Sequence, residues 1–146
     1  MNKVFLHLPL SRDKYLGYID QAGNVYETRL GPDKQVGRVD TETGKIYSTR
    51  LGPDEYAGRL EAETGKVFRT ELGPDVYIGK VEADGALVLH KRLAPDAYVG
   101  RVAEVYSLAH AAAGFLLLVL PAHEEAQQKP KNHEEDDEKS GEPAET

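Results

Sequence analysis

One phrase is repeated four times along this chain, and the repetition limits the possible folds more than any other feature. The copies are RLGPDKQVGRV at 29–39, RLGPDEYAGRL at 50–60, ELGPDVYIGKV at 71–81 and RLAPDAYVGRV at 92–102. A diverged copy, LSRDKYLGYI at 10–19, keeps Asp13, Tyr15 and Gly17. A fixed period of about 21 residues is typical of a stacked or circular array of small structural units.

Each period contains two predicted β-strands. In the segment 56–72, YAGRLEAETGKVFRTEL, the first strand is YAGRL and the second is KVFRTEL. The loop EAETG between them ends in Gly65, at a position that favours a positive φ. The Gly-Pro-Asp that follows turns the chain into the next unit, because proline cannot continue a ladder.

The two ends of the repeat array predict that it closes into a ring. Residues 3–10, KVFLHLPL, resemble a second strand, and residues 98–102, YVGRV, are a first strand with no second strand after them. Unpaired strand edges favour aggregation. We therefore expect these two strands to pair and to form the fifth hairpin of a closed ring.

Three segments follow from these patterns, in a mainly β fold. Residues 1–102 form the ring of about five β-hairpins, closed by its N- and C-terminal strands. Residues 103–122 form one apolar α-helix, which has no polar face and must be buried on or in the array. Residues 123–146 are polar and acidic, and we expect them to be disordered. Pro121 is expected to stop the helix.

Charge and composition narrow the classes of function. The formal net charge is −7, and residues 124–146 contribute nine acidic and three basic side chains to it. Residues 1–123 are therefore almost neutral. Since neither part of the chain is basic enough to attract phosphates, we expect no nucleic-acid partner. Cysteine is absent, which excludes disulfides and thiolate metal sites. The apolar run near the N-terminus is too short for a secretion signal, and we interpret it as part of the fold.

The repeat units resemble the bacterial β-flower proteins, which have four-fold or five-fold β-flower domains. The motifs that carry this resemblance are G-[RK]-[VL]-[DE], at Gly37, Gly58 and Gly79, and G-[KN]-[VI]-[YF], at Gly23, Gly44 and Gly65. The resemblance covers residues 3–120. It implies a fold and no activity, so it supplies no catalytic residues. The LGPD linkers and the unit GALVLHKRL at 85–93 depart from the family pattern.

Two sets of charged residues recur at equivalent positions. The basic set could form a ring that binds an anion or an acidic peptide, but cross-strand ion pairs with Asp40, Glu61 and Glu82, which lie on the same strand face, are the simpler interpretation. The acidic set could hold a hard cation, but caps of its own turns are the simpler interpretation. The basic set is Arg38, Arg59, Lys80 and Arg101, and the acidic set is Asp33, Asp54, Asp75 and Asp96, with Asp13 in the first unit.

The aromatic and histidine residues give weaker signals. Two columns of aromatic side chains recur and could form a stacking platform, but the simpler interpretation is a place in the core. They are Tyr15, Tyr56, Tyr77 and Tyr98 in one column, and Tyr26, Tyr47 and Phe68 in the other. The five histidines show no ligand spacing, and no catalytic motif is present. The sequence therefore predicts no enzyme, no metal and no cofactor.

Two hypotheses for the function remain open. The favoured one is a cytoplasmic structural or binding module that recognises an unknown protein or peptide, with the apolar helix buried in the ring. The alternative is a tail-anchored protein of the inner membrane, in which the uncharged residues 105–122 cross the bilayer and the repeat domain faces the cytoplasm. That stretch lies at the lower limit of length for a transmembrane helix, and Arg101 before it agrees with the positive-inside rule.

Overall fold

Ten short strands form a closed antiparallel barrel around a single helix. The computed structural model describes residues 1–136, and the side chains of residues 1–128. The strands are β1 (Asn2–Leu6), β2 (Lys14–Ile19), β3 (Asn24–Glu27), β4 (Lys34–Val39), β5 (Lys45–Ser48), β6 (Glu55–Glu61), β7 (Lys66–Arg69), β8 (Val76–Val81), β9 (Ala86–Leu89) and β10 (Ala97–Val102). Helix α1 (Leu108–Gly114), a π-turn (Phe115–Val119) and α2 (Leu120–Asp136) follow without a break.

The barrel closes as the sequence predicts. Strand β1 pairs with β10, in a register that places Val4 opposite Val102, and β1 also pairs with β2. Consecutive strands pair all the way round, so five hairpins complete the circle. Glycines with positive φ end the four hairpin loops, at Gly23, Gly44, Gly65 and Gly85. Closure removes the edges that two unpaired strands would otherwise expose.

A β-bulge recurs between each second strand and the first strand of the next unit. Between β5 and β6, for example, Ile46 pairs with Gly58 and Tyr47 pairs with Tyr56, so that Ala57 is the extra residue. The same shift occurs in the other four pairings of this kind. Bulges bend a strand and increase its twist. Five of them help strands of four to seven residues to curve into a barrel.

Three positions in each unit supply the apolar side chains of the interior. Two lie on the first strand, one on each side of its glycine, and the third lies on the second strand. The bulge residues are Leu16, Val36, Ala57, Ile78 and Val99; the residues two places after the glycine are Ile19, Val39, Leu60, Val81 and Val102; and the second strands supply Val4, Val25, Ile46, Val67 and Leu87. Most of these side chains are buried. Since every unit contributes small or branched side chains, the strands leave an axial space that the helix fills.

The helix and the barrel are complementary in size along the axis. Near the hairpin loops the helix is narrow: Ala111, Ala112 and Ala113 are completely buried, and a Cβ on Gly114 would lie 3.0 Å from both Val4 and Ile19. Farther along, the bulky residues of the π-turn face the glycines of the strands. Large side chains therefore face small ones at each level, as close packing requires.

Successive residues of the π-turn face successive hairpins. A Cβ on Gly79, Gly58 or Gly37 would approach Phe115, Leu116 or Leu117, at 2.8, 2.7 and 2.5 Å respectively. Leu118 lines a groove with Leu16 of the next unit, and Val119 faces Gly100, which completes the circle. An α-helix turns by about 100° per residue, which is more than the angle between neighbouring hairpins in a ring of five. The wider i→i+5 turn winds less per residue and brings five residues closer to one revolution.

The boundaries of the helix differ from the predicted 103–122. The helix begins at Leu108, where the Ser107 side chain accepts a hydrogen bond from the His110 N–H, and it continues past Pro121 to Asp136. The predicted stop at Pro121 is therefore wrong. Proline lacks an N–H and crowds the preceding turn, but the π-turn already redirects these bonds, since the Leu120 N–H donates to the Phe115 carbonyl.

The predicted disordered segment begins within this helix. Residues 123–136 belong to α2, and the remainder of the predicted segment, 137–146, lies outside the described residues. In the described part of the chain, no helix has the length and apolarity needed to cross a membrane. The apolar residues Phe115, Leu116, Leu118, Val119 and Leu120 are buried in the protein core.

We expect Gly58→Ala to destabilise the protein by about 3 kcal/mol, as overpacking at a rigid contact does. A Cβ at this position would collide with the carbonyl oxygen of Phe68 on the neighbouring strand and with Leu116. Thermal unfolding should show a melting temperature lower by roughly 10 °C. Glu63→Ala, at an exposed hairpin loop, is the control and should change it little.

The obstacle at Gly58 includes a backbone atom, which provides a second test. Truncation of the helix side chain in the double variant Gly58→Ala/Leu116→Ala removes only one of the two collisions. We therefore expect no recovery of stability relative to Gly58→Ala. Full recovery, or a melting temperature for Gly58→Ala equal to that of the parent protein, would contradict the close approach of β6 to β7 at this position.

Candidate binding surface

The predicted basic ring lies on the outside of the barrel. Arg38, Arg59, Lys80 and Arg101 are on β4, β6, β8 and β10, one on each of four hairpins. Because neighbouring hairpins are spread around the circumference, these four side chains do not converge on a common pocket. Their use as a ligand site stays a prediction.

Each arginine of this set stacks on an aromatic ring of the adjacent second strand. The guanidinium carbon lies 4.3 Å from the ring centre of Tyr47 for Arg38, 4.2 Å from that of Phe68 for Arg59, and 4.1 Å from that of Phe5 for Arg101. In the first unit Tyr18 replaces arginine and stacks on Tyr26, with 5.1 Å between ring centres. Cation–π contacts of this kind contribute about 0.5–1 kcal/mol at exposed sites.

The arginines pair with the linker aspartates of the next unit, and not with the carboxylates on their own strands. The Nε of Arg38 lies 2.8 Å from Asp54, that of Arg59 lies 3.3 Å from Asp75, and that of Arg101 lies 3.1 Å from Asp13. The predicted pairing with Asp40 and Glu61 is therefore wrong. The reason is the arrangement of the hairpins, which brings each linker aspartate beside the first strand of the preceding unit.

The last of these ion pairs joins the two ends of the repeat array. Arg101 and Asp13 are 88 residues apart in the chain, yet they make the same contact as Arg38 with Asp54. In the first unit, where Tyr18 takes the place of the arginine, desolvation followed by interaction with the neighbouring Asp33 carboxylate raises the pKa of Tyr18. Asp96 contacts His90 at 3.3 Å. The acidic set therefore joins neighbouring units, whereas the sequence predicted caps of its own turns.

The aromatic columns are on the outer surface and not in the core, so their predicted place is wrong. Tyr15 and Tyr98 are each about two-fifths exposed, at 38% and 41%. The hydroxyl of Tyr56 lies 2.7 Å from Asp75, and burial followed by this bond raises the pKa of Tyr56 to about 12. Outside the barrel these rings support the arginines, and the interior is left to valine, isoleucine and leucine.

The linkers present a feature that the sequence analysis missed: one fully exposed leucine in every unit. We name these five residues the leucine crown: Leu10 at 107% exposure, Leu30 at 102%, Leu51 at 103%, Leu72 at 104% and Leu93 at 96%. A leucine so exposed contributes nothing to the core. The available signal was its recurrence beside a Gly-Pro or Ala-Pro turn, where folding alone requires no apolar side chain.

The linkers hold the crown away from the barrel. Gly31, Gly52 and Gly73 have φ near +90°, and a Cβ on any of them would have no neighbour within 4 Å. In the first linker Leu10 itself has a positive φ of 68°, a conformation that costs a non-glycine residue roughly 1–2 kcal/mol. The first linker therefore retains a leucine where glycine would be less strained.

The described histidines lie at two ends of the barrel. His110 is buried on α1, where its Nδ1 contacts the Ser107 hydroxyl at 2.7 Å and its Nε2 contacts the Gln21 carbonyl at 3.0 Å. His7, His90 and His123 lie at the end with the linkers, where α2 leaves the barrel. Among the side chains of residues 1–128, no group of three histidines and carboxylates is arranged to hold a metal ion.

The resemblance of the repeats to the β-flower proteins stays a prediction. Family models, curated proteins and solved structures were all compared with this chain, and none of them matches it.

Proposed function

We propose that this chain is a non-enzymatic binding module that docks a protein partner on the leucine crown. The observation that carries the proposal is the full exposure of the equivalent leucine in all five units. Five equivalent apolar anchors around one rim suit a multivalent contact, in which several weak contacts add to a strong one. Each leucine would gain about 1.5–3 kcal/mol from complete burial.

The charges beside the crown favour an acidic partner. Arg29, Arg50 and Arg92 directly precede crown leucines, and Arg12 is two residues after Leu10. The fourth linker differs, with Glu71 at this position. We therefore infer a protein surface that offers apolar sockets between carboxylates, because complementary potentials steer association and fix its register.

The position of α2 favours a protein over a lipid surface. The helix leaves the barrel at the end with the linkers, where Glu124 contacts Arg69 at 3.3 Å and Glu125 lines a groove with Thr28. A helix that emerges among the crown loops would keep a flat bilayer from reaching all five leucines at once. A partner protein can instead surround this helix and reach the leucines on all sides.

Replacement of all five crown leucines by serine is expected to abolish partner binding without loss of stability. These side chains are fully exposed, so the melting temperature should stay within about 2 °C. A photo-crosslinking amino acid at position 51 should yield a defined protein adduct in cells, whereas the same probe at the exposed position 63 should not. The adduct should disappear when the other four leucines are serine.

Other occupants give different results in the same experiment. Lipid adducts from position 51, or flotation of the protein with vesicles containing phosphatidylserine, would overturn the proposal in favour of a membrane. An adduct between two copies of this chain would indicate self-association.

As a further check, Leu10→Gly should leave stability equal or higher, because it relieves the positive φ at Leu10, and should still weaken partner binding.

A further inference from the structure

The five-fold repeat is broken at one place, where a groove forms between α2 and the end of the barrel. The second strands of three units are followed by Thr28, Thr49 and Thr70, whereas His7 and His90 occupy this position in the other two. Their backbone N–H groups make the same bond to the neighbouring first strand as the threonines do. The linkers that follow the two histidines are one residue longer than the others, so these neighbouring units differ in both chemistry and shape.

The groove has the size and composition of a small-molecule site. Its volume is about 380 Å³, within the range of about 300–1,000 Å³ that is usual for ligand pockets. Leu6 and Val99 are buried residues in its wall, and Leu8 and Ala126 also line it. An apolar wall of this kind accommodates the hydrocarbon part of a ligand.

The polar side chains in the groove can all donate a hydrogen bond, and none of them is a carboxylate. They are Lys91, His7, His123, Tyr98 and Gln127. Lys91 makes no ion pair with the side chains of residues 1–128. The Nδ1 atom of His7 lies 3.4 Å from Asp13, so its Nε2 is the nitrogen left for another partner. An ammonium group beside imidazoles matches an anionic oxygen.

We propose that this groove binds a small amphipathic carboxylate, with its hydrocarbon part against Leu6, Leu8 and Val99 and its carboxylate at Lys91. His7 and Tyr98 supply hydrogen bonds to the same head group. The groove is distinct from the leucine crown, since none of the crown leucines lines it. It lies instead where the barrel wall, two lengthened linkers and α2 meet.

The test uses the full chain and sodium decanoate as the probe, with calorimetric titration as the measurement. Decanoate should bind with a stoichiometry of one. Decanol should bind at least about tenfold more weakly, because the charge-assisted contact with Lys91 is lost, and decyltrimethylammonium should not bind. Equal affinities for the three probes, or no saturable binding of decanoate, would overturn the proposal.

Variants locate the binding within the groove. Lys91→Gln should weaken decanoate binding about tenfold, whereas Arg92→Gln, at an exposed neighbour that does not line the groove, should change it less than twofold. His7→Thr restores the residue found in three other units and should weaken binding with little change in melting temperature.

Two further measurements test whether decanoate binds in this groove and whether a peptide C-terminus binds there more tightly. Ala126→Trp should fill the groove and prevent binding, and the matched variant Ala122→Trp, in a separate groove, should not; unchanged binding in Ala126→Trp would overturn the proposal. An apolar tripeptide with a free C-terminus should compete less well than decanoate. Stronger competition by the tripeptide would assign the groove to protein C-termini instead.

Discussion

Truncation after Val102 should leave a chain that does not fold cooperatively. It removes the five large buried apolar side chains of the helix, Phe115, Leu116, Leu118, Val119 and Leu120, and each is worth about 1.5–3 kcal/mol on burial. Together they rival the whole stability of a small domain, about 5–15 kcal/mol. Without them the glycines of the strands would face an empty axis. Circular dichroism and thermal unfolding should show no sharp transition, and the fragment should aggregate.

A shorter truncation is the matched control for this experiment. Removal of residues 129–146 keeps the whole buried part of the helix, so the melting temperature should change by no more than about 2 °C. Addition of a synthetic peptide of residues 103–128 to the 1–102 fragment should restore a folded complex. A 1–102 fragment that melts cooperatively on its own would refute the dependence of the barrel on its helix.

Deletion of residues 1–9 should have an effect of similar size, because it opens the barrel. Strand β1 bonds to both β2 and β10, and its Val4 and Leu6 are buried. Two strands would lose their partners and expose their edges, which favours aggregation. Size-exclusion chromatography with light scattering should show oligomers where the full chain is uniform, and hydrogen exchange should be fast in β2 and β10.

A point variant distinguishes the effect of opening the barrel from the effect of losing a single contact of β1. Asn2 is buried, and its side chain accepts a hydrogen bond from the Tyr106 N–H at 2.9 Å. Asn2→Ala removes this link between β1 and the segment before the helix but keeps every strand, so it should cost only about 1–3 kcal/mol. A deletion that melts at the temperature of the full chain would show that β1 is not needed for closure.

Closure was predictable because it follows from the number of strands. The segment 3–10 resembles a second strand, 98–102 resembles a first strand, and each lacks a partner in its own half of the chain. Pairing them satisfies both edges, and the observed β1–β10 pairing confirms it. The burial of the apolar helix could be predicted for a similar reason, since Phe115 and its neighbours have no polar face.

The face of each strand could not be predicted, because a bulge interrupts the alternation. At Ala57 and Gly58 two consecutive residues face the interior, and this moves Tyr56 and Arg59 to the outside. A prediction from alternation assumes that successive side chains of a strand point to opposite faces of the sheet. One inserted residue therefore reverses the predicted face of the residues that follow it. The aromatic columns were predicted in the core from the general preference of aromatic side chains, but Ile46 and Leu60 lie there instead.

The end of the helix and the partners of the arginines depend on the assembled barrel. Pro121 is a helix breaker by local rules, but the π-turn that accommodates it is set by five-fold packing around Phe115 and Leu116. Likewise Arg101 reaches Asp13 only because the first and last strands meet. The crown leucines could have been identified from the sequence. A leucine recurs beside a solvent-exposed Gly-Pro turn, as at Leu51, where folding alone requires no apolar side chain.

The place of the central helix in the chain has a consequence for synthesis. The five first strands are complete at residue 102, but the side chains that fill the axis are at 115–120. At a translation rate of about 5–20 residues per second, roughly one to four seconds separate these two points. During that interval the nascent strands carry valine and isoleucine faces with nothing to cover them, and β1 must wait for β10, about a hundred residues later. A chaperone that holds extended apolar chain would therefore act on this protein before its last helix emerges, and a pause in translation just after Val102 should lower the yield of folded protein.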